Sequence, residues 1–383
     1  MAVILVLERP AADNRMMTPQ ALLRVARAAT LALLTFTAAG CGGSSPSVFM
    51  RTHGQVIGIA LDGKRVAWAT SGDCRPHMYV REGDSDHAVP LPRPVSRYSE
   101  CFTNAKLVLS GSNVGWFFLD QGGNSSSFAS GASSWKPIRT TTFADEAYAI
   151  DLPVLGATFA GLASDGGRVL WGWAHVSFRD PENVGTCDLS TSEPGCQTRT
   201  DGGGIRTWSE GHPGVVSGMP PVQTLLGGED WIAMVPEPRT SWIRGGPRLG
   251  AIRGLRLSDR QAVRVRRSSF SEPVAVSQTM LAVLRKAGAF ELYGLPAGDL
   301  IRRVKVADWV YPMAFCAGTT FVVEIDENHL LFIDAETGRR TVVAVADPSR
   351  DSISAVAVDG SRVAWAEYDW KSRTSVLRVR TVS

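Results

Sequence analysis

The chain has 383 residues, of which 44% are hydrophobic and 20% charged, with a formal net charge of +3. This is ample length for a sizeable core, and the slight positive balance argues against a dedicated nucleic-acid binder, which needs a concentrated basic field. No segment beyond the first forty residues has the ~20 consecutive apolar residues of a spanning helix.

The first forty residues read as a targeting segment and not as part of the fold. Arg24 and Arg27 precede an apolar run from Ala28 to Ala39, which closes on Ala38-Ala39-Gly40-Cys41. Small residues let a peptidase close around the backbone, and the Cys41 thiol is the atom that takes a lipid. The segment resembles a bacterial lipoprotein signal; the alternatives are an ordinary cleaved signal or a short membrane anchor. Met1 to Arg15 makes a poor signal start, so Met16 or Met17 is the better one. The domains expected are a signal peptide over 1–40, a lipidated Cys with a flexible tether over 41–50, and the folded body over 51–383.

Three near-copies of one phrase organise that body: Gly58-Ile-Ala-Leu-Asp62-Gly63-Lys-Arg65-Val66-Ala-Trp68, Gly161-Leu-Ala-Ser-Asp165-Gly166-Gly-Arg168-Val169-Leu-Trp171 and Ala355-Val-Ala-Val-Asp359-Gly360-Ser-Arg362-Val363-Ala-Trp365. Each is an apolar run, a glycine turn and a second apolar run, the signature of a β-hairpin. Weaker copies fall between them, giving turn anchors at Gly63, Gly111, Gly166, Gly228, Gln278, Gly318 and Gly360. A second hairpin follows most of the first ones, most clearly from Leu330 through Asp334-Ala-Glu-Thr-Gly338 to Val345. Two hairpins per unit at a spacing near 40–50 residues predict an all-β propeller of seven four-stranded blades. The last unit is short of an outer strand, which Ser47 to Met50 is placed to donate, closing the ring. Trp68, Trp116, Trp171 and Trp365 recur on one strand face and are expected to pack blade against blade.

Asp62-Gly63-Lys64-Arg65-Val66-Ala67-Trp68 followed by His77-Met78-Tyr79-Val80 resembles the TolB-type, WD-repeat-like β-propeller repeat. That resemblance covers residues 50 to 383 and implies the fold without specifying a reaction.

Alternating strands put the a–b and c–d turns of every blade on one face and the b–c loops and d–a links on the other. The long loops Ser71–His77, Asp120–Ser127, His175–Gly203 and Pro236–Arg248 fall on the second face, where function is expected. Arg75, His77, Trp242, Trp309, Tyr311 and Trp370 are the candidate binding residues there, since aromatic and Arg side chains supply most interface energy. With Cys41 lipidated, five cysteines remain. In an oxidising envelope, pairs Cys74–Cys101 and Cys187–Cys196 are expected, with Cys316 buried as a small hydrophobe. No Cys-x-x-Cys, ligand-spaced His pair, Gly-x-Ser-x-Gly elbow, haem-attachment motif, sialidase Asp-box or EF-hand loop occurs, so no cofactor, metal or catalytic residue is assigned. The leading expectation is an envelope-tethered lipoprotein, monomeric, that binds a protein or glycan and no nucleic acid and meets the membrane through its lipid. The alternative is an exported enzyme acting on carbohydrate at the mouth of the propeller channel.

Overall fold

A computed structural model describes residues 46–72, 75–91, 102–119, 128–135, 156–179, 197–209, 212–236, 240–242, 251–265, 271–286, 288–306, 313–345 and 347–382. All belong to one unit, Gly42–Ser383, and they form strands without a helix. No helix among them is long and apolar enough to cross a membrane.

The chain opens with β1 (Ser47–His53) and then builds antiparallel sheets in succession. The first is β2 (Gln55–Asp62), β3 (Arg65–Gly72), β4 (Arg75–Glu82) and β5 (Ser85–Val89). The second has three described strands, β6 (Asn104–Ser110), β7 (Asn113–Leu119) and β8 (Phe128–Ser134). The third is β9 (Gly156–Ser164), β10 (Val169–Arg179), β11 (Gln197–Ser209) and β12 (His212–Val215). The fourth is β13 (Val222–Gly228), β14 (Trp231–Pro236), β16 (Ile252–Arg256) and β17 (Ala262–Val265), while β15 (Thr240–Trp242) leaves it to pair with β11. The fifth is β18 (Glu272–Val276), β19 (Met280–Lys286), β20 (Ala289–Gly294) and β21 (Leu300–Lys305). The sixth is β22 (Ala314–Ala317), β23 (Thr320–Asp326), β24 (His329–Asp334) and β25 (Arg340–Ala344). The seventh is β26 (Asp351–Asp359), β27 (Arg362–Asp369) and β28 (Thr374–Thr381), completed by β1.

This is the expected seven-bladed propeller, and the core proves that the ring closes. Apolar residues form seven clusters, and each spans one pair of neighbouring blades. One of them joins Val56, Ile59 and Trp68 of the first blade to Ala355, Ala364 and Leu377 of the seventh. The N-terminal strand seals the same junction by hydrogen bonding: β1 lies antiparallel to β28 from Ser47↔Val379 to His53↔Thr374. Fusing the first strand of the chain to the last blade removes an exposed edge and ties the two ends of the ring together. Trp68, Trp116 and Trp365 are buried at these junctions, as the repeat predicts, and Trp171 is half-buried.

Two details depart from the sequence reading. The turn of the fourth blade is Glu229-Asp230, with Glu229 at φ 56°, so the anchor sits one residue after Gly228. Gly228 serves a different need, because a Cβ there would stand 2.1 Å from the Val276 carbonyl oxygen of the next blade. The long segment between His175 and Gly203 is also partly strand. The hairpin of β10 and β11 runs on to the pair Arg179↔Gln197, beyond the reach of β12, which covers only Arg206–Ser209. An extended strand needs a partner for its free edge, and β15 supplies it through Gln197↔Trp242 and Arg199↔Thr240.

Candidate functional site

On the first face, inner turns of neighbouring blades bond to one another at several junctions. The Gly63 N–H donates to Asp359 Oδ2 of the seventh blade at 2.6 Å, and the Gly111 N–H of the second blade donates to Asp62 Oδ2 at 3.1 Å. Arg65 adds a bond to the Gly111 carbonyl and an ion pair with Asp62. On the far side, the Ser277 and Thr279 hydroxyls donate to the Gly318 carbonyl at 3.1 and 3.0 Å. Glu229 of the fourth blade reaches the Gly360 N–H of the seventh, across the ring. Burial and the Asp359 charge push the Glu229 carboxyl upward, against the pull of that backbone bond. Most of these turn groups bond to one another, although one Glu229 carboxyl oxygen is buried without a hydrogen-bond partner.

The second face differs in kind. On the inner strands β6 and β18, Lys106 of the second blade and Glu272 of the fifth both expose their side chains. Burial lowers the Lys106 amine below the ordinary lysine range, and the Glu272 charge acts on it in the opposite sense. Glu324, near the end of β23, has one carboxyl oxygen buried without a hydrogen-bond partner. Burial, helped by the neighbouring Asp326, pushes this carboxyl up to about 7. A second carboxylate, Glu291, is bonded by Arg285 at 2.5 Å, Tyr293 at 2.5 Å and Arg303 at 3.1 Å. Burial alone would raise it, yet these three donors hold it below the usual carboxylate range. It is a brace between strands, with three of its roughly four lone-pair sites taken by these donors.

The candidate binding residues fall as follows. Arg75 opens β4 and His77 stands exposed on it, both at the b–c end of the first blade. Trp242 ends β15, in the strand that joins the extended arm. Trp370 lies in the b–c turn of the seventh blade and is 61% exposed, the barest large hydrophobic of that blade. Trp309 and Tyr311 lie outside the described residues, as do Cys41, Cys74, Cys101, Cys187 and Cys196. Cys316 is buried as a free thiol. Among the described residues no cluster of His, Cys, Asp and Glu is placed to hold a metal ion. Sequence reasoning missed Glu229, Lys106 and Glu272, which carry no motif and owe their setting to blades that meet only across the ring.

No family model matches the chain, and no curated protein matches it by sequence. Among solved structures it is similar to the computationally designed Ika8 protein, at 9% identity and a TM-score of 0.42 over 86% of this chain and 98% of that one. It is also similar to BamB from Moraxella catarrhalis, at 11% identity and a TM-score of 0.40 over 84% of this chain and 85% of that one.

Proposed function

We propose that this chain is an envelope-tethered propeller lipoprotein of the TolB-like kind, anchored through Cys41, that binds a protein or glycan partner on its second face. The observation that carries the reading is the inequality of the two faces. Short turns on one face bond to one another at several blade junctions, whereas the other face bears the extended β10–β11 arm and the bare Trp370. A rigid frame that spends its variation on one set of loops is the usual design of a binding module.

Two experiments test it. Cys41→Ser moves the protein from the membrane fraction to the medium with its fold intact; unchanged membrane association refutes the lipid anchor. Affinity capture from envelope extract is lost with Trp242→Ala plus Trp309→Ala and kept with Lys64→Ser plus Glu336→Ser on the turn face. Loss with the second pair alone places the partner on the wrong face and overturns the reading.

A second reading, an exported enzyme acting on carbohydrate, is favoured by one observation. Lys106 and Glu272 present an amine and a carboxylate from the inner strands of two non-adjacent blades, and the Glu272 charge acts on the amine. Its test is hydrolysis of envelope polysaccharide that disappears in both Lys106→Ala and Glu272→Gln.

A further inference from the structure

Trp370 is held still in an unusually exposed place. It follows Tyr368 and Asp369 at the end of β27, and its own N–H donates to the Arg350 carbonyl at 3.2 Å. The Asp369 carboxylate ties the rest of the turn: it accepts the Lys371 N–H and the Ser372 hydroxyl, each at 2.8 Å, and pairs with Arg350. Arg373, at φ 53°, closes the turn with its N–H on the Asp369 carbonyl at 2.9 Å. Its own carbonyl accepts the Gly54 N–H at 2.9 Å, which fixes the turn to the β1–β2 link. Tyr368 meets the indole edge-on, 5.2 Å between centroids at 68°. Ring and backbone are therefore set before any ligand arrives, which lowers the ordering cost of binding.

The chemistry around the ring narrows the ligand. None of the other exposed large hydrophobics among the described residues belongs to β27, β28 or their link. A protein hot spot needs a surround that excludes water, and the described residues of this turn do not provide one. A sugar ring needs less: one flat face for its C–H surface, with wet edges where its hydroxyls stay hydrated. The acceptors are engaged, Asp369 within the turn and Asp347 with the Ser349 N–H and hydroxyl at 3.1 and 2.6 Å, and the Lys371 charge also acts on Asp347. Lys371 and Arg373 remain exposed on either side of Ser372, and neither makes an ion pair among the described residues. An aromatic face flanked by cationic donors fits a ligand that is flat, rich in acceptors and negatively charged.

We propose that the β27–β28 turn is a glycan platform, on which the Trp370 indole stacks against a pyranose ring while Lys371 and Arg373 hold an anionic group of the same chain, as in a polyuronate. The proposal rests on the second face being the binding face, and narrows its partner to an acidic polysaccharide.

The test uses the full chain in mild detergent, titrated calorimetrically with hexagalacturonate, the neutral cellohexaose and oligothymidylate. Hexagalacturonate binds, cellohexaose binds more weakly, and binding weakens with salt. Trp370→Ala weakens hexagalacturonate binding by about tenfold or more, as loss of an aromatic anchor does, while Trp370→Tyr restores most of it. Lys371→Gln plus Arg373→Gln removes the preference for the acidic over the neutral sugar. Because Trp370 is exposed, the melting temperature of Trp370→Ala stays that of the parent. No binding of hexagalacturonate, unchanged binding in Trp370→Ala, or tighter binding of oligothymidylate overturns the platform. Capture of an envelope partner that survives Trp370→Ala refutes the platform alone and leaves the second-face reading standing.

Discussion

Gly228→Ala and Gly63→Ala separate the two uses this fold makes of glycine. Gly63 sits in an open turn at φ 55°, with nothing within 4 Å of an added Cβ. Its cost is conformational: the left-handed region penalises a Cβ by about 1–2 kcal/mol, partly offset by ~0.4–1 kcal/mol of lost freedom in the unfolded chain. The net is roughly 1 kcal/mol. Gly228 has no such φ, but a Cβ would lie 2.1 Å from the Val276 carbonyl oxygen, 2.8 Å from its carbon and 3.1 Å from the Ser277 Cα. These are backbone atoms of the neighbouring blade, and Val276 is itself packed among Trp231, Leu281 and Val283. Relief requires two inner strands to part by about an ångström, and overpacking of this kind costs about 3 kcal/mol. Urea unfolding followed by tryptophan fluorescence reads the difference, with Trp231 buried close to the substitution. Gly228→Ala is expected to unfold at clearly lower urea than Gly63→Ala. Equal midpoints, or the reverse order, refute the claim that blade-to-blade approach, and not turn geometry, demands glycine at this position.

That distinction also explains what was legible in the chain. Gly63, Gly318 and Gly360 take φ near 55° in their turns, so a glycine in the repeat marks the turn and the ruler works. In the fourth blade the glycine is spent on close packing and Glu229 takes the strained φ, so the ruler slips by one residue. In the fifth blade Gln278 needs no glycine, because the Ser277 hydroxyl oxygen accepts the Met280 N–H at 3.2 Å and the Thr279 N–H at 3.4 Å. Periodicity therefore sets the number of blades, and β1 could be assigned as the missing outer strand because the last unit lacked one. The sequence presents the extension of β10 and β11 as loop, since its partner β15 comes from another blade and no local pattern announces such pairing. The exposure of Trp370 follows from its place in a Tyr-Asp-Trp run past a strand end. The charge relation between Lys106 and Glu272 depends on the diameter of the ring, which local sequence does not encode.

The remaining predictions bear on single groups. Cys316 is fully buried, and burial pushes its thiol far above the ordinary range; it should resist maleimide in the native protein and react in urea, and native labelling at Cys316 would contradict its place in the core. Glu229→Gly relieves a strained φ while losing the bond to the Gly360 N–H, two effects of about 1 kcal/mol each. Stability should change little while amide exchange at Gly360 quickens, and unchanged exchange would deny the contact across the ring. Glu324 makes stability depend on pH in the direction opposite to a salt-bridged carboxylate. Its folded-state value of about 7 lies above the ordinary glutamate value of 4.5, so between those limits the native state holds more protons than the unfolded one. Stability therefore falls as pH rises from about 4.5 to about 7, by roughly 1–3 kcal/mol, and is flat above. Glu324→Gln, which is neutral throughout, should match the parent near pH 4.5 and exceed it at pH 8 in urea unfolding. A parent and variant that differ equally at both pH values would show that the unpartnered carboxyl oxygen is already charged in the folded protein.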